Sequence, residues 1–290
     1  MLHSQSMTVV LWLCSALLLA TCAPPVAGPP SGSPPDADEV AQALDTGSTI
    51  STRFPAPAGF QRTGSDAASF GAYLRQLPLK PQGTAVHLYN GDLKWNQRAH
   101  AAVVDMSVGE KDLQQCADAT MRLRAEYLYA AGRQDEIAFN FTSGFRAEWK
   151  RWRRGERIKV NGNECSWTSG GAADASHGQL LKFMDMVFTY AGTLSLEREL
   201  MNAGNAELEI GDVFIQGGSP GHAVIVVDKA EDESGLKAFM LAQSYMPAQE
   251  IHVLLNHKHP EPGTWFILDG DDQLYTPEWT FEWGDRKRWP

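Results

Sequence analysis

The sequence predicts an α+β domain in which an antiparallel sheet of about five strands packs on helices. Helical spacing of apolar residues dominates the first two thirds of the chain, and strand-like runs separated by turn residues follow from about residue 212. Helix 176–200 is apolar on nearly every side. Because a helix that is hydrophobic all round is buried, we expect this helix at the centre of the domain.

The N-terminal part of the chain is predicted to lie outside the domain. Residues 1–22 carry no Lys, Arg, Asp or Glu, and the twelve-residue apolar run within them is too short to span a bilayer, which is typical of a signal peptide. Residues 19–22 resemble a bacterial lipobox, in which Cys22 receives the lipid. Residues 23–53 form a Pro/Gly/Ser-rich tether and residues 54–290 a single domain. We expect an exported protein of the bacterial envelope, either anchored to the membrane through a lipid on Cys22 or periplasmic or secreted.

Within the predicted domain, Ser65 can cap the first helix, and apolar spacing predicts a longer helix over residues 110–131. In that longer helix Asp118, Arg122 and Glu126 recur every four residues, which is the spacing of an ion-pair ladder on a solvated or interface face. The predicted helices are 65–77, 110–131 and 176–200, and the predicted strands are 101–104, 137–141, 212–216, 223–228, 237–244, 250–255 and 265–268.

Two tryptophan-rich segments fit either packing or ligand binding. EWKRWRRGER, residues 148–157, fits an amphipathic helix with inward-facing Trp149 and Trp152, or a surface that stacks on carbohydrate or an anionic polymer. The tail from residue 277 places three tryptophans between charges, and closing the edge of the sheet is a simpler role for it than binding sugar.

Composition and spacing narrow the partners and cofactors. The net charge of −10 argues against a nucleic-acid partner. The spacing of His252, His257 and His259 does not fit tetrahedral zinc, so we predict a surface loop there. LDGDDQLY, residues 268–275, lacks the distal glutamate of a calcium loop and is predicted to be a turn. We therefore expect no metal and no cofactor.

One histidine lies where a polar turn meets an apolar strand. The two strands on either side of KAEDESGL should pair antiparallel, and the register with Asp228 opposite Lys237 matches opposite charges and apolar neighbours. This register sets His222 opposite Gln243, within hydrogen-bond reach. Two interpretations fit: a general base whose imidazole is oriented by an amide, or a half-buried histidine with its polar atoms satisfied.

The segments YAGTLSL, GDV and GHAVIVVD are similar in order to those of papain-like cell-wall peptidases of the NlpC/P60 type. This resemblance implies a papain-like core with His222 as the base and Gln243 as its orienting residue. The nucleophile of that family is a cysteine at the start of a helix. At the matching helix start this sequence has Ser176, and Cys165 lies eleven residues earlier, so both are candidate nucleophiles. Cys165 could also form a disulfide with Cys116 or stay free.

A second resemblance covers residues 74–254. The segments LRQLPLKPQGT, DLQQCADATMRLRAEYLY, FMDMVFTYAGTLSL, GDVFIQGGSPGHAVIVVD and LAQSYMPAQEIHVL look like those of an uncharacterised bacterial family, the domain of unknown function numbered 4846. The resemblance implies one domain in exported bacterial proteins and no particular activity.

Three functions fit the sequence. The first is a hydrolase or amidase that acts on cell-wall peptide through His222, Gln243 and a nucleophile at Cys165 or Ser176. The second is a non-catalytic envelope protein that binds glycan or peptide in the same cleft. The third is a structural envelope protein in which His222 and Gln243 only close a hairpin.

Overall fold

The computed structural model describes residues 48–290 except residue 205, residues 259–262, and residues 269 and 271. The predicted signal peptide, the lipidation site Cys22 and the tether up to residue 47 lie outside the described residues. In the described part of the chain, no helix is long and apolar enough to cross a membrane.

The predicted order of helices first and strands later holds only in part: nine of the described strands follow the last helix, but six short strands lie between the helices. The described α-helices are α1 Ile50–Arg53, α2 Phe70–Arg75, α3 Cys116–Ala130, α4 Trp149–Trp152, α5 His177–Tyr190 and α6 Thr193–Glu199, with 3-10 turns at Gln97–Ala99, Gln134–Glu136 and Trp283–Asp285. The described strands are β1 Phe60–Arg62, β2 His100–Val103, β3 Ala138–Asn140, β4 Arg146–Glu148, β5 Glu156–Asn161, β6 Glu164–Ser169, β7 Met201–Asn202, β8 Val213–Gln216, β9 His222–Asp232, β10 Lys237–Gln243, β11 His252–Leu254, β12 Phe266–Ile267, β13 Gln273–Tyr275, β14 Thr280–Glu282 and β15 Arg286–Arg288.

The α+β class and the antiparallel sheet are confirmed, but the main sheet has nine strands instead of about five. Its order is β2-β11-β10-β9-β8-β15-β7, with β1 added on β9 and β12 on β10. Of the four extra strands, β2 was predicted over residues 101–104 and joins the sheet through β11. The other three, β1, β7 and β15, are only two or three residues long, too short to show an alternating pattern in the sequence. Three two-stranded hairpins, β3-β4, β5-β6 and β13-β14, stand outside this sheet in the described residues.

Both faces of the sheet are covered, which explains why β8 and β9 are apolar without alternation. Val213, Ile215 and Ile225 belong to a core cluster shared with α2, α3 and α5. Phe214 and Val224 belong to a second cluster that includes Phe239, Leu274 and Phe281. The C-terminal segment therefore covers the face opposite the helices. It also extends the sheet, because β15 pairs with β8, as the predicted edge-closing role of the tail requires.

The buried central helix is α3, and the prediction that helix 176–200 holds this position was wrong. Eleven of the fifteen residues of α3 are buried. The predicted helix 176–200 is divided into α5 and α6, and α5 buries only five of its fourteen residues. The sequence pattern predicted a solvent-exposed face on α3 because it contains charged residues there, but two of these residues are buried. Asp118 is 5% and Arg122 7% exposed, so the predicted solvated ladder is an interior feature.

The ladder itself forms only in part. Arg122 donates from Nε to Oε1 of Glu126 at 2.7 Å. Asp118 instead accepts a hydrogen bond from the backbone N–H of Gln115 at 3.1 Å, across the start of the helix. The tryptophans of the EWKRWRRGER segment pack inward, as the amphipathic interpretation predicts, with Trp149 fully buried and Trp152 nearly so. Only four residues of that segment are helical, because β5 begins at Glu156.

The predicted register of the β9-β10 hairpin was wrong. Lys237 lies opposite Glu231 instead of Asp228, because β9 continues to Asp232 and the turn is shorter than predicted. A bulge between Met240 and Leu241 then shifts the pairing by one residue. Continued past Ala242, which lies opposite Ile225, this register sets Gln243 diagonal to His222 and not directly across from it. The two side chains still meet, because diagonal neighbours on one face lie within reach of long side chains.

Residues 48–53, which the sequence assigns to the tether, fold with the domain. Ile50 in α1 is fully buried in the main core cluster. Its backbone N–H donates to the carbonyl of Leu77, and Thr49 forms a β-bridge with Pro78. The folded part therefore includes residues before the predicted boundary at residue 54.

Candidate functional site

A cleft of about 680 Å³ opens at the N-terminal end of α3. We call it the His222 cleft. Five parts of the chain contribute to its lining, within residues 112–118, 188–193, 218–222 and 245–246, together with Trp279. The cleft thus lies where the central helix, the loop after α5, the turn between β8 and β9 and the C-terminal segment meet.

His222 is the first residue of β9 and is held between polar and aromatic neighbours. Its Nε2 lies 2.8 Å from Oε1 of Gln243. The ring is only 1% exposed, and the rings of Tyr245, Trp279 and Phe281 lie 4.7, 5.4 and 5.9 Å from it, centroid to centroid. The imidazole is therefore buried, with part of it facing the cleft.

The turn before His222 depends on a glycine. A Cβ on Gly221 would lie 2.5 Å from Oγ1 of Thr193 and 2.8 Å from the carbonyl oxygen of Gln216. Contacts that short do not occur between real atoms of these types, so only glycine lets the turn pack this closely. The close packing brings the loop after α5 against the start of β9 and forms one wall of the cleft.

Hydrogen bonds to Gln243 determine which nitrogen of His222 carries the proton. Nε2 of Gln243 donates to Oε2 of Glu278 at 2.8 Å, and an ionised carboxylate can only accept. The amide oxygen of Gln243 must therefore point toward His222, and Nε2 of the imidazole must donate to it. Nδ1 of His222 keeps its lone pair, and it makes no hydrogen bond with any residue that the structure describes. The arrangement leaves a basic nitrogen free.

His252 completes the restraint on Gln243. Its Nδ1 lies 2.8 Å from the carbonyl oxygen of Glu250 and must donate to it, so its Nε2 accepts the second N–H of Gln243 at 3.3 Å. The sequence had placed His252 in a surface loop, and this was wrong, because the residue belongs to β11 and is fully buried. His252 belonged both to the predicted strand 250–255 and to the predicted surface loop, and the structure confirms the strand.

A buried ion pair fixes Glu278. Its Oε1 and Oε2 accept hydrogen bonds from Nζ of Lys94 at 2.7 and 2.9 Å, and Asn96 donates to Oε1 at 3.2 Å. The two charged side chains are 1% and 5% exposed. A paired, hydrogen-bonded carboxylate is the form in which a buried charge is tolerated. Lys94, Glu278, Gln243 and His222 thus form one connected polar chain that ends at the cleft.

Burial keeps both histidines neutral. Desolvation lowers the pKa of His222 to about 4, against the opposing effect of its hydrogen bond to Gln243. Desolvation likewise lowers the pKa of the fully buried His252 to about 3. At neutral pH the Nδ1 lone pair of His222 is therefore available to accept a proton.

Cys116 lines the same cleft and was not among the predicted site residues. It is the first residue of α3 and is 8% exposed. Burial raises the pKa of its thiol to about 11, the carboxylate of Asp118 adds to this rise, and backbone groups of Ala117 and Ala223 oppose it. Since the backbone of Ala223 affects the pKa of the thiol, the thiol lies close to this residue. Ala223 follows His222 directly at the start of β9.

Two contacts attach the chain before α3 to the segment after β10. Oδ1 of Asp112 accepts a hydrogen bond from the backbone N–H of Ala248 at 2.7 Å, and Oγ of Ser244 donates to the carbonyl of Gln114 at 2.9 Å. They set the position of Cys116 relative to Gln243. No hydrogen bond joins Sγ of Cys116 to the imidazole in the described residues. Catalytic hydrogen bonds often tighten only when substrate binds.

The sequence contained a signal for Cys116 that the predicted helix boundary obscured. Starting the helix at residue 110 placed Cys116 in the second turn. The structure starts the helix six residues later, where Gln115 is the N-cap and Asp118 returns a hydrogen bond to the N-cap backbone. An acidic residue three positions after a polar one is the pattern of a capped helix start. That pattern would have placed a cysteine at a helix N-terminus.

The two predicted nucleophiles lie elsewhere, and neither lines the His222 cleft. Ser176 is exposed and is the N-cap of α5, where its Oγ accepts the N–H of Gln179 at 3.4 Å. Cys165 lies on β6 with its Sγ 3.7 Å from Oγ of Ser143. They were proposed because helix 176–200 was taken as the central helix. The structure gives this place to α3.

No disulfide joins Cys116 and Cys165, which are both free thiols. Among the described residues, no cluster of His, Cys, Asp and Glu could hold a metal ion. His257 lies at the surface and contacts the carbonyl of Arg98, and His259 lies outside the described residues.

The sequence model of one family, described as a domain of unknown function (4846), matches residues 50–288. Comparison with curated proteins gives no match, and neither does comparison with solved structures.

Proposed function

The chain belongs to the family described as domain of unknown function 4846, and we propose that it is a cysteine-dependent hydrolase of papain-like design. In this proposal Cys116 is the nucleophile, His222 the general base and Gln243 the residue that orients His222. The observation that carries it is that Cys116 and His222 line one cleft while Gln243 occupies Nε2, which leaves Nδ1 for the thiol.

Chain order and topology support the proposal. A cysteine at the N-terminus of a buried helix, a histidine at the start of a strand and a polar residue on the next strand form the order that the papain-like resemblance implies. The helix N-terminus offers backbone N–H groups and the positive end of the helix dipole to an anion that forms at Cys116. The thiolate is the nucleophilic form of cysteine, and an adjacent imidazole activates it.

The reaction follows from these positions. The Sγ–H proton of Cys116 moves to Nδ1 of His222 while Sγ attacks a carbonyl carbon, and the C=O electron pair moves to oxygen. The oxyanion then returns its electron pair, the bond to the leaving nitrogen or oxygen breaks, and that atom takes the proton from His222. A water that gives its proton to Nδ1 attacks the thioester, and Sγ departs and is reprotonated.

We propose cell-wall peptide as the substrate and the bacterial envelope as the location. The predicted signal peptide and lipobox support both, since they direct the protein to the compartment where such peptides are found. If a lipid on Cys22 anchors the protein, replacing Cys22 with serine should release it from the membrane fraction. A serine variant that stays in the membrane fraction contradicts the anchor.

A second function, binding of an envelope glycan or peptide without turnover, is favoured by one observation. The imidazole is 1% exposed, and burial keeps both it and the thiol neutral, so the resting pair is weakly reactive. This alternative predicts that peptidoglycan fragments bind equally to the wild type and to Cys116→Ala and leave both unchanged.

Acylation by p-nitrophenyl acetate tests the proposal. The full chain should release p-nitrophenolate in a burst of about one equivalent, and mass spectrometry should find the acetyl group on Cys116. Cys116→Ala should abolish the burst, whereas Cys165→Ala, a matched change at the other free thiol of the described residues, should preserve it. His222→Ala should slow acylation by about a hundredfold or more, the usual contribution of a general base.

Two outcomes contradict the proposal. One is a burst that survives in Cys116→Ala. The other is acetylation located on Cys165 or Ser176, with no dependence on His222. Turnover of soluble peptidoglycan fragments, followed by mass spectrometry, then separates hydrolysis from binding alone.

A further inference from the structure

Asp118 carries a side-chain oxygen that makes no hydrogen bond in the described residues. It lies two residues after Cys116 and lines the cleft. Its Oδ2 accepts the backbone N–H of Gln115 at 3.1 Å, but its Oδ1 is buried and has no hydrogen-bond partner among the residues that the structure describes. The residue is 5% exposed. A buried polar atom without a partner costs about 1–3 kcal/mol, so it requires a reason.

Burial favours the neutral form of Asp118. Desolvation raises the pKa of this carboxyl well above its usual range, and the Gln115 N–H only partly opposes the rise. Because Oδ2 accepts a hydrogen bond, the proton of the neutral acid belongs on Oδ1. Oδ1 is then an O–H donor with no acceptor in the described protein.

The charge of Asp118 matters to the reaction proposed for Cys116. An ionised carboxylate here raises the pKa of the thiol, so it opposes formation of the thiolate. It would also repel the oxyanion that forms when Sγ attacks a carbonyl. A neutral acid removes both penalties and adds a donor beside the N-terminus of a fifteen-residue helix. Carboxylic acids kept neutral by an apolar site serve as oxyanion donors in other enzymes.

We propose that Asp118 is a catalytic residue that works as a neutral acid, donating a hydrogen bond from Oδ1 to the carbonyl oxygen of the bound acyl group. The inference rests on the proposed function of Cys116. It assigns this part of the cleft to a neutral carbonyl, such as a peptide amide, and not to an ammonium group. The proton stays on Oδ1 throughout, while the hydrogen bond strengthens as the carbonyl oxygen gains negative charge.

Two reagents that attack the same thiol separate this role from a structural one. p-Nitrophenyl acetate acylates Cys116 through a tetrahedral oxyanion, whereas iodoacetamide alkylates it by direct displacement at a CH₂ carbon. A donor to the oxyanion therefore affects only acylation. Asparagine in place of Asp118 keeps an acceptor for the Gln115 N–H and puts an N–H donor in the place of Oδ1, so it mimics the neutral acid. Alanine keeps neither.

Removing one oxyanion donor slows a reaction about a hundredfold or more. We expect Asp118→Ala to slow acylation by about that factor, while its rate of alkylation stays within about threefold of wild type. Asp118→Asn should stay within about threefold for both reagents. Asp185→Asn makes the same change at a carboxylate of α5 that does not line the cleft and pairs with the exposed Lys111, and it should also leave both rates within that range.

Each contrary result has a distinct meaning. If Asp118→Asn acylates as slowly as Asp118→Ala, the negative charge is what is used and the neutral-acid role is overturned. If Asp118→Ala slows both reagents equally, the residue only supports the helix start, and if it slows neither, Oδ1 contributes nothing to the reaction. These results overturn the role of Asp118 alone. The proposed function itself fails on different results: a burst that survives in Cys116→Ala, or acetylation on Cys165 or Ser176 that does not depend on His222.

Discussion

The ion pair between Lys94 and Glu278 allows a stability prediction in which the expected loss can be worked from burial. Glu278→Ala removes the carboxylate that accepts hydrogen bonds from Lys94, Asn96 and Gln243. The Lys94 ammonium, whose side chain is 1% exposed, would then be buried next to Tyr245 without an anionic partner. The cation–π contact with that ring, at 5.2 Å, compensates only a small part of the loss.

Breaking a buried ion pair by removing one partner costs about 3–5 kcal/mol in the free energy of unfolding. For a domain of roughly 150–250 residues, each kcal/mol lowers the melting temperature by about 2–4 °C. We therefore expect Glu278→Ala to melt about 6–20 °C below the wild type. Differential scanning calorimetry measures the shift, and circular dichroism before heating checks that the variant is folded.

Two variants control for the size and origin of this effect. Glu282→Ala removes an exposed carboxylate from the same segment, which accepts a hydrogen bond from the half-buried Gln273, so we expect a shift of less than about 2 °C. In the double variant Lys94→Met with Glu278→Leu, both charges are gone, and most of the lost stability should return. The reasoning is refuted if Glu278→Ala melts within about 2 °C of the wild type, or if the double variant is less stable than Glu278→Ala.

Two further predictions concern protonation. Because burial lowers the pKa of His222 to about 4 and of His252 to about 3, the unfolded chain binds protons between about pH 6.5 and pH 4 that the folded chain does not. As the pH is lowered through this window, the free energy of unfolding should therefore decrease by about 1.4 kcal/mol per pH unit for each histidine. Urea titrations should show a smaller decrease for His252→Gln, and the same pH dependence in this variant and the wild type would contradict the lowered pKa of His252. For Cys116, whose pKa burial raises to about 11, the iodoacetamide rate should climb with pH from about 6 to 9, and a plateau at acidic pH would reveal a preformed thiolate–imidazolium pair instead.

The strands of the main hairpin could be predicted because their signals are local. Apolar runs such as those of β8 and β9 and the turn residues between them mark strands by composition alone. The register could not be predicted, because the bulge at Met240 and Leu241 leaves no mark in the sequence. The contact between His222 and Gln243 was nevertheless predicted correctly, since a side chain as long as glutamine tolerates a diagonal position.

The proposed nucleophile was missed because its position depends on tertiary contacts. Buried polar residues such as Arg122 made α3 look like a surface helix, so α5 was taken as the central one. Arg122 is buried because Glu126 and Gln114 accept its hydrogen bonds, and Gln114 lies outside the helix. From a sequence pattern alone, a charged residue is expected at the surface, because the partner that would allow its burial is not known. The identity of Cys116 as the cysteine of the cleft therefore depended on contacts that only the fold provides.

The polar chain behind His222 explains why the C-terminal segment is part of the site as well as part of the sheet. β15 pairs with β8, which lies beside β9, so the segment before it is carried across the end of β10. This path brings Glu278 to Gln243, thirty-five residues away in sequence, and Trp279 to the ring of His222. A carboxylate cannot donate, so Gln243 has one orientation and His222 one tautomer. Glu278, a residue of the C-terminal segment, therefore determines that Nδ1 is the unprotonated nitrogen of His222. The neighbours of His222 in β9 do not determine it.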